Sequence, residues 1–125
     1  MLIYTSKKTV KEIDVIFEEE TINVGMGLLK SYNYSDMVAE KGFPIEGDVI
    51  VYEICQAKVA SQVLTTNRDF APFMPCRIAV YDDNGKTILS SPNMQSMIDG
   101  FDESVREDAQ KLFGALKTLL ETLAK

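Results

Sequence analysis

Two cysteines are the side chains best suited to chemistry. Cys55 closes the run Asp48-Val49-Ile50-Val51-Tyr52-Glu53-Ile54-Cys55, and Cys76 opens the run Cys76-Arg77-Ile78-Ala79-Val80-Tyr81-Asp82. Both runs are rich in β-branched and aromatic residues, the composition of strands. If the strands are antiparallel neighbours, the end of one faces the start of the other and the sulfurs approach. A disulfide would need the two Cα atoms within about 7 Å. Such a pair can cycle as a dithiol, carry a sulfane sulfur, or bind a soft metal with Met26 or Met74 beside it. The competing reading is two small buried hydrophobes, because free cysteine is among the most buried residue types. Two cysteines 21 positions apart match no standard ligand spacing, so no metal site is assigned. Cys76 and Cys55 stand as candidate thiols, and no catalytic group beyond them.

A ligand pocket is the second chemistry to weigh. Gly25 and Gly27 lie two apart, on one face if Val24–Tyr32 is a strand, and would thin that face for a bulge, a helix or a ligand. Phe70, Phe73, Met74 and Tyr81 are the apolar wall such a pocket would use, although aromatic and methionine side chains are usually ordinary core. The glycine pair is no dinucleotide fingerprint, since no third glycine completes it. Glu18-Glu19-Glu20 and Asp82-Asp83 are acidic runs at element ends. Asp82-Asp83-Asn84-Gly85 lacks the downstream glutamate of a calcium loop and reads as a solvated turn.

Composition narrows the field. The chain has 125 residues, 46% hydrophobic and 26% charged, with 7 Gly and 4 Pro, which fits one globular domain over residues 1–125. The formal charge of -6 opposes nucleic acid and anionic membrane surfaces, so neither is expected as a partner. There is no His, which removes serine–histidine catalysis, His-ligated zinc and imidazole proton shuttling. A haem would have to take its axial ligand from Cys, Met or Tyr, and no cofactor is named by the sequence. Met1–Lys8 has no apolar run of signal-peptide length and no segment reaches the roughly 20 apolar residues of a membrane span, so a cytoplasmic address is expected, with both cysteines as thiols.

The elements that must position these residues follow from periodicity and caps. Leu2–Thr5 is a short strand. Thr9-Val10-Lys11-Glu12 has the form of a capping box, and Val10, Ile13, Ile16 and Phe17 share one face of the helix it opens, which should stop near Thr21–Asn23. Ser35 is the expected cap of a short helix over Asp36–Lys41, with Gly42 as its stop. Ala57–Leu64 turns helical, with Ala60, Val63 and Leu64 inward. Asn84-Gly85 is the pair favoured by a type I′ hairpin, with Lys86–Ser90 returning antiparallel. Pro92 ends that strand and opens a short helical turn through Ile98. Val105, Ala109, Leu112, Phe113, Leu116, Leu119, Leu120 and Leu123 form one stripe along a long C-terminal helix, with Glu107 and Lys111 at the favourable i,i+4 spacing. Strands gathered between an early and a late helix predict an α+β domain with helices on one sheet face. A stripe longer than the sheet needs would build a homodimer.

The chain resembles the domain of unknown function 302 family over nearly its whole length. The resemblance rests on Gly25-Met26-Gly27-Leu28-Leu29, on Ile54-Cys55 leading into Ala57–Ala60, and above all on Met74-Pro75-Cys76-Arg77-Ile78-Ala79-Val80-Tyr81. Where members usually follow the first cysteine with Asn-Pro, this chain has Gln56-Ala57. The resemblance implies a curved, mostly antiparallel sheet with helices on one face, a variation on the TATA-binding-protein-like fold. Shared fold does not carry DNA binding with it. The resulting expectation is a non-enzymatic module that binds a small ligand through Gly25, Gly27, Met74, Pro75 and Tyr81, or serves as an accessory protein. The alternatives are a thiol-based sulfur or redox protein using Cys76 with Cys55, and a homodimeric interaction module.

Overall fold

The computed structural model describes residues 1–125. β1 (Leu2–Ser6) is followed by α1 (Val10–Asn23), β2 (Gly27–Asn33), α2 (Tyr34–Glu40), β3 (Val49–Cys55) and α3 (Ala57–Thr66). After a 3-10 segment over Arg68–Phe73 come β4 (Cys76–Asp83), β5 (Lys86–Ser91), α4 (Gln95–Asp99) and α5 (Glu103–Ala124). The five strands form one open sheet in the order β1-β5-β4-β3-β2, and every pairing is antiparallel.

That order leaves β1 and β2, consecutive in sequence, parallel and at opposite edges. A tight turn cannot make such a connection, so α1 crosses the sheet face between them. It starts on the capping box that the sequence predicts: Glu12 N donates to Thr9 Oγ1 at 3.1 Å, and Thr9 N donates to Glu12 Oε1 at 3.0 Å. Val10, Ile13 and Phe17 are buried beneath it, with Ile16 half-buried at its side. The β4–β5 hairpin turns at Asn84 (φ 52°) and Gly85 (φ 86°), both positive as a type I′ turn requires.

β3 and β4 supply the inner face. Ile50, Tyr52 and Ile54 alternate inward on β3 and lie opposite Val80, Ile78 and Cys76 on β4. Phe17 stacks on Tyr52 with ring centroids 3.6 Å apart, and the Tyr52 hydroxyl donates to Asp14 Oδ1 at 2.6 Å. α5 covers the β1 side, about 33 Å long at 1.5 Å per residue. Its stripe is spent inside this chain: Val105, Ala109, Phe113, Leu116, Leu119, Leu120 and Leu123 are all buried, and Leu112 is half-buried. A dimer built on surplus stripe therefore has no exposed stripe to use. Ser6 Oγ donates to Leu123 O at 2.9 Å, locking β1 to the end of that helix. No helix is long and apolar enough to cross a membrane.

Three local expectations change. β2 begins at Gly27, because Gly25 (φ 83°) belongs to the turn that ends α1, its N–H donating to Ile22 O at 2.9 Å. α2 is capped by Asn33, whose Oδ1 accepts from Asp36 N at 3.1 Å, while Ser35 Oγ donates to that same oxygen. On α3 the buried pair is Val59 and Val63; Leu64 is exposed, since the chain leaves the sheet there.

Phe17→Ala removes a whole buried ring, whereas Tyr52→Phe keeps the buried ring and removes only its hydroxyl's hydrogen bond to the exposed Asp14 carboxylate. Phe17→Ala should therefore lower unfolding free energy by about 3–5 kcal/mol, against about 1 kcal/mol for Tyr52→Phe. Urea unfolding of both variants measures the order; equal losses would contradict it.

Candidate functional site

Adjacent antiparallel strands are usually joined by a short turn. Here the chain between β3 and β4 makes an excursion over residues 56–75, through α3 and the 3-10 segment, before returning beside the strand it left. Gln56 opens it, its Oε1 accepting from Val59 N at 3.0 Å, so the glutamine caps α3. The excursion is pinned to α5 by Gln62 Nε2, which donates to Asp108 Oδ2 at 3.1 Å. Asp102 N likewise donates to Asn67 Oδ1 at 2.8 Å. Cys55 and Cys76 mark its two ends.

Beneath the excursion the inner face is incompletely covered. A chamber of about 40 Å³ lies between Ile54, Val59, Val63, Phe101, Ala109 and Leu112, and both cysteines line it with Met74, Pro75, Met94 and Met97. Beside it lies a wider space, a vestibule of about 260 Å³ whose polar side is Arg77, Ser91 and Asn93. Phe73, Pro75, Cys76, Met94 and Met97 are walls of both spaces. The Met74–Pro75 peptide is cis.

Within the chamber the Cys76 thiol donates to Met94 Sδ at 3.5 Å. Cys76 sits directly opposite Ile54, on the inner face; Cys55 is one residue further along β3, past that pair. Both are free thiols. Burial pushes the Cys76 thiol up to about 11, the neighbouring Cys55 adds to the rise, and its own backbone N–H and Arg77 oppose it. Burial also raises Cys55. On the outer face of the sheet, Arg77 Nη2 pairs with Glu53 Oε2 at 3.4 Å, and the Tyr32 hydroxyl donates to Glu53 Oε1 at 2.7 Å. Ser91 Oγ donates to Arg77 O at 2.7 Å. The charges are thus held outside, and the chamber is lined by apolar and sulfur-bearing residues apart from Gln56.

The structure brings Cys55, Met74, Pro75 and Cys76 together and leaves three expected residues elsewhere. Gly25 borders a separate polar groove beside Lys58 and Asp108. Gly27 is not the floor of a pocket: a Cβ there would meet only Cys55 O, at 3.8 Å. Tyr81 is on the opposite face of β4 from Cys76, Ile78 and Val80, because strand side chains alternate. Met26 is buried in the core away from the chamber, and Phe70 packs edge-on against Phe101 at 4.8 Å. Met94 and Met97, which sequence reasoning missed, arrive on the α4 turn. Asp82-Asp83 caps the hairpin, with Gly85 N donating to Asp82 Oδ1 at 3.0 Å, as a solvated turn should.

Comparison with known proteins agrees with this architecture. The family profile described as "Domain of unknown function DUF302" matches residues 2–123. A crystal structure of an uncharacterized conserved DUF302 protein from Bacillus stearothermophilus superposes with a TM-score of 0.84 at 24% identity, covering 99% of this chain and 97% of that one. That likeness is one of fold. No curated protein matches the chain.

Because thiolate is the reactive form, a thiol raised from 9.0 to about 11 should react roughly 100-fold more slowly at pH 8 than an unperturbed one. Its rate should climb as pH rises from 9 towards 11, where the proton is lost. Iodoacetamide labelling followed by peptide mass mapping checks this, with Cys55 expected to label before Cys76. Fast, pH-independent labelling of Cys76 near neutrality would contradict the geometry.

Proposed function

The chain belongs to the family described as Domain of unknown function DUF302, and from that premise we propose that it is a non-enzymatic binding module, holding a small ligand in the chamber and vestibule at Cys76. The observation that carries this reading is the adjacency of the two spaces at Cys76, an apolar recess sharing five wall residues with a wider, partly polar space. Ligand sites combine these features: apolar walls for affinity and a few polar groups at one end for orientation.

Size sets the ligand. A water needs roughly 10–15 Å³ of such space, so a chamber of about 40 Å³ admits only a few heavy atoms. A fitting ligand therefore has a small apolar or soft head, with any larger polar part lying in the vestibule near Arg77, Ser91 and Asn93. The non-enzymatic reading is supported by the walls, which carry no carboxylate, lysine or arginine inside the chamber to serve as acid or base. A thiol-based sulfur or redox role has less support, since both sulfurs are held protonated by burial where reactive cysteines are usually ionised. The homodimer reading has less still, with the α5 stripe already buried.

The test uses protein labelled with ¹³C at its six methionine methyl groups and two probes, xenon and 1-propanethiol. Met94 and Met97 should shift with saturation while Met1 and Met37 stay still. Ala60→Leu, which fills the chamber from α3, should abolish the shifts with little change in melting temperature. Absent shifts with both probes, or shifts spread evenly over all six methyls, would sink the reading.

A further inference from the structure

Five of the chain's eight sulfur-bearing side chains surround this one small chamber: Cys55, Met74, Cys76, Met94 and Met97. They arrive from separate places in the chain, Cys55 from the end of β3, Met74 and Cys76 from either side of Pro75, and Met94 and Met97 from the α4 turn. We propose that the chamber is a binding site for a soft monovalent cation, Cu(I), with the Cys76 thiolate and the Met94 thioether as its first two ligands. The proposal rests on the recess being a binding site and names what occupies it.

The donor set selects the ion. Thioether and thiolate sulfur are soft ligands that favour Cu(I), whereas calcium and magnesium require oxygen and zinc draws on cysteine, histidine and carboxylate. No three His, Cys, Asp or Glu side chains are grouped so that they could hold a metal ion, so hard and borderline cations have no comparable cage. Geometry agrees. Cys76 Sγ and Met94 Sδ are 3.5 Å apart. At metal–sulfur bonds of about 2.3 Å, that separation subtends roughly 100° at a shared ion, close to tetrahedral. Met74 and Met97 line the same space, and the unbranched methionine side chain can move to offer a further neutral thioether.

Charge balance points the same way. An isolated charge in an apolar cavity is expensive, and one thiolate with one monovalent cation is neutral overall. A divalent cation with the same single thiolate would leave a net positive charge with no carboxylate on the walls to meet it. Binding involves no electron transfer. Copper enters as Cu(I), the Cys76 S–H bond is replaced by an S–Cu bond, and the displaced proton leaves through the vestibule to solvent.

The experiment is an anaerobic titration of the full chain with Cu(I) held by bicinchoninate. The protein should withdraw one equivalent, and X-ray absorption at the copper edge should show sulfur neighbours only. Met94→Leu should weaken binding by about 10- to 100-fold, Cys76→Ser should abolish it, and Met37→Leu should leave it unchanged. Should Cys76→Ser fail to fold, the absorption spectrum of the unaltered protein and Met94→Leu still decide the matter. Failure to withdraw Cu(I), nitrogen or oxygen neighbours, or unchanged affinity in Met94→Leu would overturn the copper assignment. If Cu(I) is refused while xenon and 1-propanethiol still shift Met94 and Met97, the recess stands as a binding site for another small ligand. Refusal of all three removes both readings.

Discussion

A sheet with one apolar face must be covered on that face, and the architecture of this molecule is the consequence of how the cover is assembled. Ile50, Tyr52 and Ile54 on β3 and Ile78 and Val80 on β4 are buried because α1 and α5 lie over them. The Phe17–Tyr52 stack joins helix to sheet at the centre, and the full α5 stripe extends the cover towards β1. Hydrophobic burial of this kind is non-directional, so it demands only that the face be shielded from water. The directional interactions, such as Ser6 to Leu123 and Tyr52 to Asp14, set how the covering helices sit.

The candidate site lies where this cover is assembled from many short pieces. Beyond Ile54 and Cys76 the inner face is roofed by α3, the 3-10 segment, the α4 turn and the flank of α5, which meet around a small void lined mainly by apolar and sulfur groups. Close packing of long helices rarely leaves such a space; short elements meeting at different angles do. Because β3 and β4 are adjacent, the two ends of the excursion are held by ladder hydrogen bonds, and Cys76 is positioned by the most regular part of the fold. The charged pair Arg77–Glu53 stays on the other face of the sheet, where solvent meets its cost.

Much of this was legible along the chain. The capping box, the hairpin at Asn84-Gly85, the two cysteine-bearing strands and the C-terminal stripe each depend on residues within a turn or two of one another, and each formed where the spacing placed it. Gly25 misled because a glycine suits a helix-ending turn with positive φ as readily as a thinned strand. Leu64 misled because a helical stripe says which face is apolar and nothing of where the sheet beneath it ends. Tyr81 was assigned to the wall by its type, although its odd place relative to Cys76 in β4 put it on the other face. Met94 and Met97 carried no local signal as site residues, being two ordinary methionines after a proline.

The amino-acid order by itself determined the hairpin and most of the helices, strands and inward faces, since those follow from periodicity, capping and turn chemistry acting over a few residues. It also excluded histidine chemistry and left the two cysteines as the candidate reactive side chains. Only the tertiary structure decided that the strands run β1-β5-β4-β3-β2 and that five sulfurs from three separate stretches surround one void. The physical reason is range: strand order and cavity walls arise from contacts between residues far apart in sequence, selected by how the whole apolar face is covered.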